Sequence, residues 1–284
     1  PRPMLGLRRE AFRGGLADRE IAWTDDPTNE DTSYERVRAR RAFLALDLPV
    51  HALARSAAHL AEARAALAEA AVAAAEGTGA DRGMLRLPHR ALSAAPEIRR
   101  RLVVAALRWV TGADYPPRGE DVGRLVAVLL TGGQGTLDGV IARVKDEAVE
   151  FLREPAAAAR SGAVGPGFRP ARASPLAHGK QTTGLFAGRS PAQGTWIRTN
   201  SGEVLWDRRW RLTGLPEGAI VTAAGEAALI GRDWRAAGLP RAALASSPAV
   251  SIDGRAILPL LDASSVGAMP LRGREDYLAI LRAH

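Results

Sequence analysis

Apolar residues recur at helical spacing through the first half of this chain and at alternating spacing through its last third. Leu53, Leu60 and Leu67 repeat every seven positions in an alanine-rich run. Ala57, Ala71 and Ala74 fill the stripe and Gly77 follows it, which predicts a long packing helix over 50–76. Ile98, Leu102, Leu107 and Trp109 or Val110 mark a second amphipathic helix over 93–110, and a third covers 120–130. Near the start, a short helix is expected over 7–18 and another from Ser33, capped by Asp31, Thr32 or Ser33. That helix places Arg36 and Arg40 on one face, four residues apart, and turns Val37, Phe43 and Leu44 toward a core.

Alternation takes over at Met84-Leu85-Arg86-Leu87, a short strand, and again over 136–154 around Lys145-Asp146-Glu147, which predicts a β-hairpin. Residues 156–194 are rich in Ala, Gly, Pro, Ser and Arg without a period and read as linker or long loops. Beyond them come short strands: Trp196-Ile197-Arg198, a turn at Asn200-Ser201-Gly202, one strand over 204–212 and another over 219–223. Asp253-Gly254 joins 249–252 to 256–260 as a hairpin, and a short helix over 232–238 ends at Gly238 with Pro240 beyond. In 204–212, period two buries Trp206 and Trp210 on one face and exposes Arg209 and Arg211 on the other. The same Arg/Trp interleaving, Arg208 included, could instead stack on or grip RNA.

At 284 residues the chain exceeds one ordinary domain. Its formal charge of +8 and pI near 10.9 favour polyanions. That argument is weak by itself, because the cations are almost all Arg, with Lys145 and Lys180 the only lysines, as a GC-rich genome would produce. The absence of cysteine excludes disulfides, Cys-ligated zinc and thiol chemistry within the chain. His51, His59, His89, His178 and His284 show no metal-ligand spacing. No apolar run approaches the roughly 18 residues a membrane span needs, so a cytoplasmic protein is expected.

The most specific chemistry lies in the stretch from Trp23 to Arg41. An acidic turn, Asp25-Asp26-Pro27-Thr28-Asn29-Glu30-Asp31, leads into Tyr34 and then four arginines within six residues. With Arg2-Pro3-Met4-Leu5 upstream, it resembles the close of the catalytic domain in the tRNA(Ile)-lysidine synthase family. The resemblance rests on Arg2, Pro3, Leu5, Trp23, Asp26, Pro27, Asn29, Asp31, Tyr34, Arg36 and Arg40. It departs at Met4, at Thr28, and at Val37, where the family usually carries Asn. Phe151-Leu152-Arg153-Glu154-Pro155 resembles the end of that family's helical middle domain, and 195–284 more weakly resembles its final α+β module.

The fold class so implied is multidomain. The tail of an α/β ATP-pyrophosphatase-type domain covers 1–48, and a helical middle domain with a β-hairpin covers 49–155. A linker over 156–194 leads to a small α+β C-terminal tRNA-binding domain over 195–284. The implied reaction joins L-lysine to C2 of the wobble cytidine in the isoleucine tRNA with a CAU anticodon, through an adenylated intermediate, using ATP with magnesium. Guanidinium groups suit the charge that develops, since they stay protonated and donate in a planar fork. Arg36, and next Arg40, therefore carry the implied catalytic role. Asp26 and Asn29 shape the loop that aims Arg36, with Pro27 fixing the bend. Arg38 and Arg41 read as a solvated helical face or as clasps on RNA phosphates, and Arg208, Arg209 and Arg211 as tRNA contacts. Trp23 reads as a core anchor.

The family's Ser-Gly-Gly-x-Asp-Ser phosphate loop does not occur here. Thr131-Gly132-Gly133-Gln134-Gly135-Thr136 follows a helix-like run and reads as a helix C-terminus and loop. The chain, opening on Pro1, is thus expected to be a C-terminal fragment that alone releases no pyrophosphate, with ATP held by a missing N-terminal part. A non-catalytic RNA-binding module derived from such an enzyme, or another ATP-pyrophosphatase-type tRNA modifier, remain the alternatives.

Overall fold

Two compact units divide the chain, 1–61 and 62–284. The structure is a computed structural model that describes residues 6–7, 9–46, 49–161, 197–198, 204–252 and 254–283. Arg2, Pro3 and Leu5 of the motif, the linker beyond Ser161, the turn at Asn200-Ser201-Gly202, and Asp253 lie outside the described residues.

The first unit contains α1 (Arg9–Ala17), a 3-10 turn at Pro27–Asn29, α2 (Glu35–Ala45) and the start of α3 (Val50–Ala74). Among its described residues only Val37 is buried. The expected core facing of Phe43 and Leu44 is therefore corrected: they are 40% and 75% exposed. With arginine at four of its eleven positions, α2 has no apolar stripe wide enough to seat them. Its cap also differs from expectation. Tyr34 is the N-cap and makes no side-chain cap bond, while Asp31 spends its carboxylate on the Ser33 amide. The expected core anchor Trp23 is 45% exposed.

In the second unit α3 ends and is followed by β1 (Gly79–Asp81), β2 (Met84–Pro88), α4 (Pro96–Thr111) and α5 (Gly119–Leu130). Next come β3 (Gln134–Leu137), β4 (Val140–Lys145), β5 (Ala148–Arg153) and α6 (Pro155–Ala159). The remainder is β6 (Ile197–Arg198), β7 (Val204–Trp206), β8 (Trp210–Thr213), β9 (Ile220–Ala223), α7 (Arg241–Ala245), β10 (Pro248–Ile252), β11 (Arg255–Ile257), β12 (Gly267–Pro270) and α8 (Arg274–Ala283). The result is a mixed α/β structure of helices and small antiparallel sheets, ordered β1-β2-β5-β4-β3, β11-β10-β9 and β12-β8-β7-β6.

The hairpin expected over 136–154 is one side of that five-stranded sheet, three strands rather than two, with β3 at the edge. Asp138 and Gly139, at φ 49° and 72°, turn β3 back onto β4 with Leu137 opposite Val140. The central helix α4 is buried all round in its middle: Leu102 through Leu107 are each at most 1% exposed. It can be so because the sheet and α5 cover part of it and α8 covers another part with Tyr277, Leu278 and Leu281. Trp109 donates to the Gly273 carbonyl at 2.8 Å, and the Tyr277 hydroxyl to the Leu102 carbonyl at 3.2 Å. Burial pushes the Tyr277 phenol well above its ordinary range.

The start of the expected linker folds as α6, whose Ala157 and Ala158 are buried. Small side chains let that turn sit close to its neighbours, which composition alone reads as looseness. The single strand expected over 204–212 is corrected to a hairpin, β7 and β8, with Trp206 directly opposite Trp210. Asp207 and Arg208 adopt left-handed φ of 50° and 52° to make the turn. Both tryptophans are fully buried on one face, as period two predicted, but by pairing across strands. Arg209, expected on the exposed face, is 4% exposed. It falls inside the turn, where alternation no longer sets direction.

Candidate functional site

The loop before α2 is built from its own short side chains. Asp26 sits in extended backbone and accepts the Thr28 amide at 2.8 Å, Pro27 follows at the first turn position, and the Asn29 amide reaches the Asp26 carbonyl at 3.0 Å. One step on, Asp31 accepts the Ser33 amide at 2.8 Å. Two carboxylate-capped turns in series thus set the path of the chain into α2. Asn29 is half-buried in the first of them.

These amide bonds hold both carboxyls below their ordinary value of 3.8. For Asp26 the Thr28 bonds dominate and the charge of Arg36 adds a smaller pull in the same direction. A depressed carboxyl orders the loop fully above its ordinary value and loses that effect as pH falls through the lowered one. The Thr28 and Ser33 amide resonances should therefore titrate with midpoints below 3.8. Midpoints at or above it would mean the turns do not persist in solution.

The arginine cluster divides in two. Arg38 donates to the carbonyls of Thr32 at 2.9 Å and Ser33 at 2.8 Å, and Arg41 to the Glu30 carbonyl at 3.1 Å, with the Glu30 carboxylate 3.7 Å away. Both side chains remain exposed while they tie the loop to its helix. Arg36 and Arg40 stay outward. Arg36 lies over the Tyr34 ring, 4.6 Å from its centroid, and Arg40 makes no hydrogen bond or ion pair with any described residue. Tyr34 was legible only as a motif position; its role as a platform under Arg36 follows from its place at the helix N-cap. Nearby, Asp25 pairs with Arg9 at 2.9 Å and with Arg13, whose guanidinium lies 5.9 Å from the Trp23 ring.

The second set of expected contacts is dispersed. Arg209 donates to Asp207 at 2.7 Å and to the Ser246 carbonyl at 2.5 Å. Burial pulls its guanidinium down to about 10, with Asp207 opposing and Arg153 and Arg272 adding to the fall. Arg208 is half-buried, 3.5 Å from the Gly112 carbonyl, and Arg211 alone of the three is exposed.

The glycine-rich run cannot cradle a phosphate. The Gly132 amide goes to the Leu129 carbonyl at 3.1 Å and the Gly133 amide to the Val128 carbonyl at 3.0 Å, with Gly132 at φ 76°. This double closure ends α5 and uses the amides that an anion would need. No group of three or more His, Asp or Glu among the described residues could hold a metal ion.

No family profile matches the chain. It is 33% identical over 158 residues to the tRNA(Ile)-lysidine synthase of Ruegeria pomeroyi, a stretch covering 54% of this chain and 38% of that protein. The Novosphingobium aromaticivorans tRNA(Ile)-lysidine synthase is 36% identical over 156 residues, 54% of this chain and 47% of the relative. That of Bartonella henselae is 51% identical over a short stretch of 41 residues, 14% of this chain and 8% of the relative. The chain is thus a distant homologue of tRNA(Ile)-lysidine synthases over about half its length, and the longer matches span 34% to 47% of those relatives. No helix among the described residues is long and apolar enough to cross a membrane.

Proposed function

We propose that this chain forms the substrate-orienting and tRNA-gripping part of a cytoplasmic ligase that joins L-lysine to the wobble cytidine of the CAU-anticodon isoleucine tRNA. The observation that carries the reading is the loop from Asp26 to Arg41. Two carboxylate-capped turns and two loop-clasping arginines leave Arg36, on its Tyr34 platform, and Arg40 presented outward on one helical face. A pair of permanently charged guanidiniums is what a pyrimidine carbonyl oxygen needs as it is activated and as its ring is attacked by an amine. In this reading 1–48 closes the adenylating domain, 49–155 is the middle domain, and 195–284 grips the tRNA body. In this reading the chain's own share is binding the tRNA and positioning the base.

The test joins residues 1–284 to the ATP-binding part of the Ruegeria pomeroyi relative and follows AMP release. Release that requires both L-lysine and the isoleucine tRNA, with lysidine found in the anticodon loop by mass spectrometry, is the expected result. A folded chimera that binds the tRNA and releases no AMP would leave an RNA-binding module without catalysis. Failure to bind tRNA would remove both readings.

A further inference from the structure

A groove of about 650 Å³ runs between the five-stranded sheet and the segment from Trp234 to Ala242. Its floor is a cross-strand triplet in which Arg86 and Arg143 flank Glu150 from the strands on either side. Glu150 is 3% exposed; Arg143 donates twice to one of its oxygens, at 2.8 and 2.9 Å, and Arg86 lies 3.6 Å from the other. One buried carboxylate between two guanidiniums leaves the floor positive. At the end of β4 stands Lys145, exposed and without a hydrogen bond or ion pair to any described residue. The neighbouring Asp146 is the groove's one carboxylate that is neither ion-paired nor hydrogen-bonded, since Glu226 pairs with Arg241.

The opposite wall is aromatic. Trp234 is half-buried against the apolar cluster that includes Leu239 and Leu244, and the exposed Arg235 lies over its ring, 4.4 Å from the centroid. Gly238, at φ 67°, ends this 3-10 turn two residues before Pro240. Of the arginines around this turn, Arg232 is held by Asp262 and Arg241 by Glu226, so Arg235 is the one whose charge no carboxylate meets. Five basic side chains face three acidic ones across the groove.

We propose that this groove binds a single-stranded stretch of RNA, with phosphates on Lys145 and Arg235 and an unpaired base stacked on the Arg235–Trp234 pair. The choice of RNA as the polyanion rests on the proposed function. An ammonium without a partner suits a phosphate, and a guanidinium plane backed by an indole accepts any base face. A duplex would present no free base to that wall.

The experiment uses the full chain and two probes, the isoleucine tRNA and a short single-stranded RNA carrying 4-thiouridine. Binding is measured at two salt concentrations for the wild type, for Lys145→Ala/Arg235→Ala, and for Arg118→Ala/Arg124→Ala, which removes equal charge from an exposed face of α5. The groove variant should bind about tenfold more weakly, with a salt slope smaller by about 1.4 for two lost phosphate contacts. The α5 variant should change much less. Photocrosslinking of the thiouridine probe to the wild type should mark the peptide that contains Trp234, a readout that no mutant's stability affects. If the wild type binds RNA while the two variants lose affinity alike and the crosslink falls elsewhere, the groove assignment is overturned and the proposed function stands. If the wild type binds neither probe, RNA is the wrong partner and the proposed function falls as well.

Discussion

Replacing Arg36 with alanine is expected to slow lysidine formation in the chimera by about a hundredfold to a thousandfold, roughly 2.7–4 kcal/mol of barrier, with little change in tRNA affinity. The size follows from the role. A donor aimed at charge that exists only while the base is being activated stabilises the transition state and hardly touches the bound ground state. Arg36 is suited to this because its loop is pre-set: Asp26 and Asp31 cap the turns, and Arg38 and Arg41 hold the loop carbonyls. Arg36→Lys should recover only part of the loss, since an ammonium keeps the charge but lacks the planar fork. Arg41→Ala, which loosens one clasp, should cost far less turnover. Equal losses of turnover from Arg36→Ala and Arg41→Ala would show that the cluster acts only as a positive field.

The largest stability effect is expected at Asp207. Its carboxylate, 3% exposed, accepts from Arg209 at 2.7 Å and from the Ser161 hydroxyl, with Arg153 at 3.4 Å. These partners come from the β7–β8 turn, the second residue beyond α6 and the end of β5, so one charge joins three elements. Asp207→Ala would leave the buried Arg209 and the largely buried Arg153 facing each other without a counter-ion. Stranding buried charge in this way costs about 3–5 kcal/mol, which for a unit of this size is a fall in Tm of about 6 to 20 °C. Removing the stranded charge too, in Asp207→Ala/Arg209→Met, should restore a measurable part of the loss. Thermal unfolding of the three proteins tests this. A double variant no more stable than Asp207→Ala would place the cost in turn geometry, where Asp207 and Arg208 hold left-handed φ, and not in electrostatics.

What the sequence determined by itself is local. The helices at 50–76, 93–110 and 120–130, the strand at Met84, the antiparallel pairing of β10 with β11 and the stop at Gly238 all follow from period, caps and turn residues, which act over a few positions. So does the bent path of the Asp26–Asp31 loop, because Asx turns and proline are local devices. Tertiary structure decided the rest. Four arginines in six residues look alike in sequence, yet two reach back to loop carbonyls and two do not, because reach depends on which helical face meets the loop. Arg209 and Arg211 share a parity along the chain, and a turn between β7 and β8 buries one and exposes the other. Lys145 and Trp234 lie far apart in sequence and line one groove, since long-range packing, not spacing, sets which surfaces face each other. An unpaired charge is a property of its surroundings, and those exist only once the chain has folded.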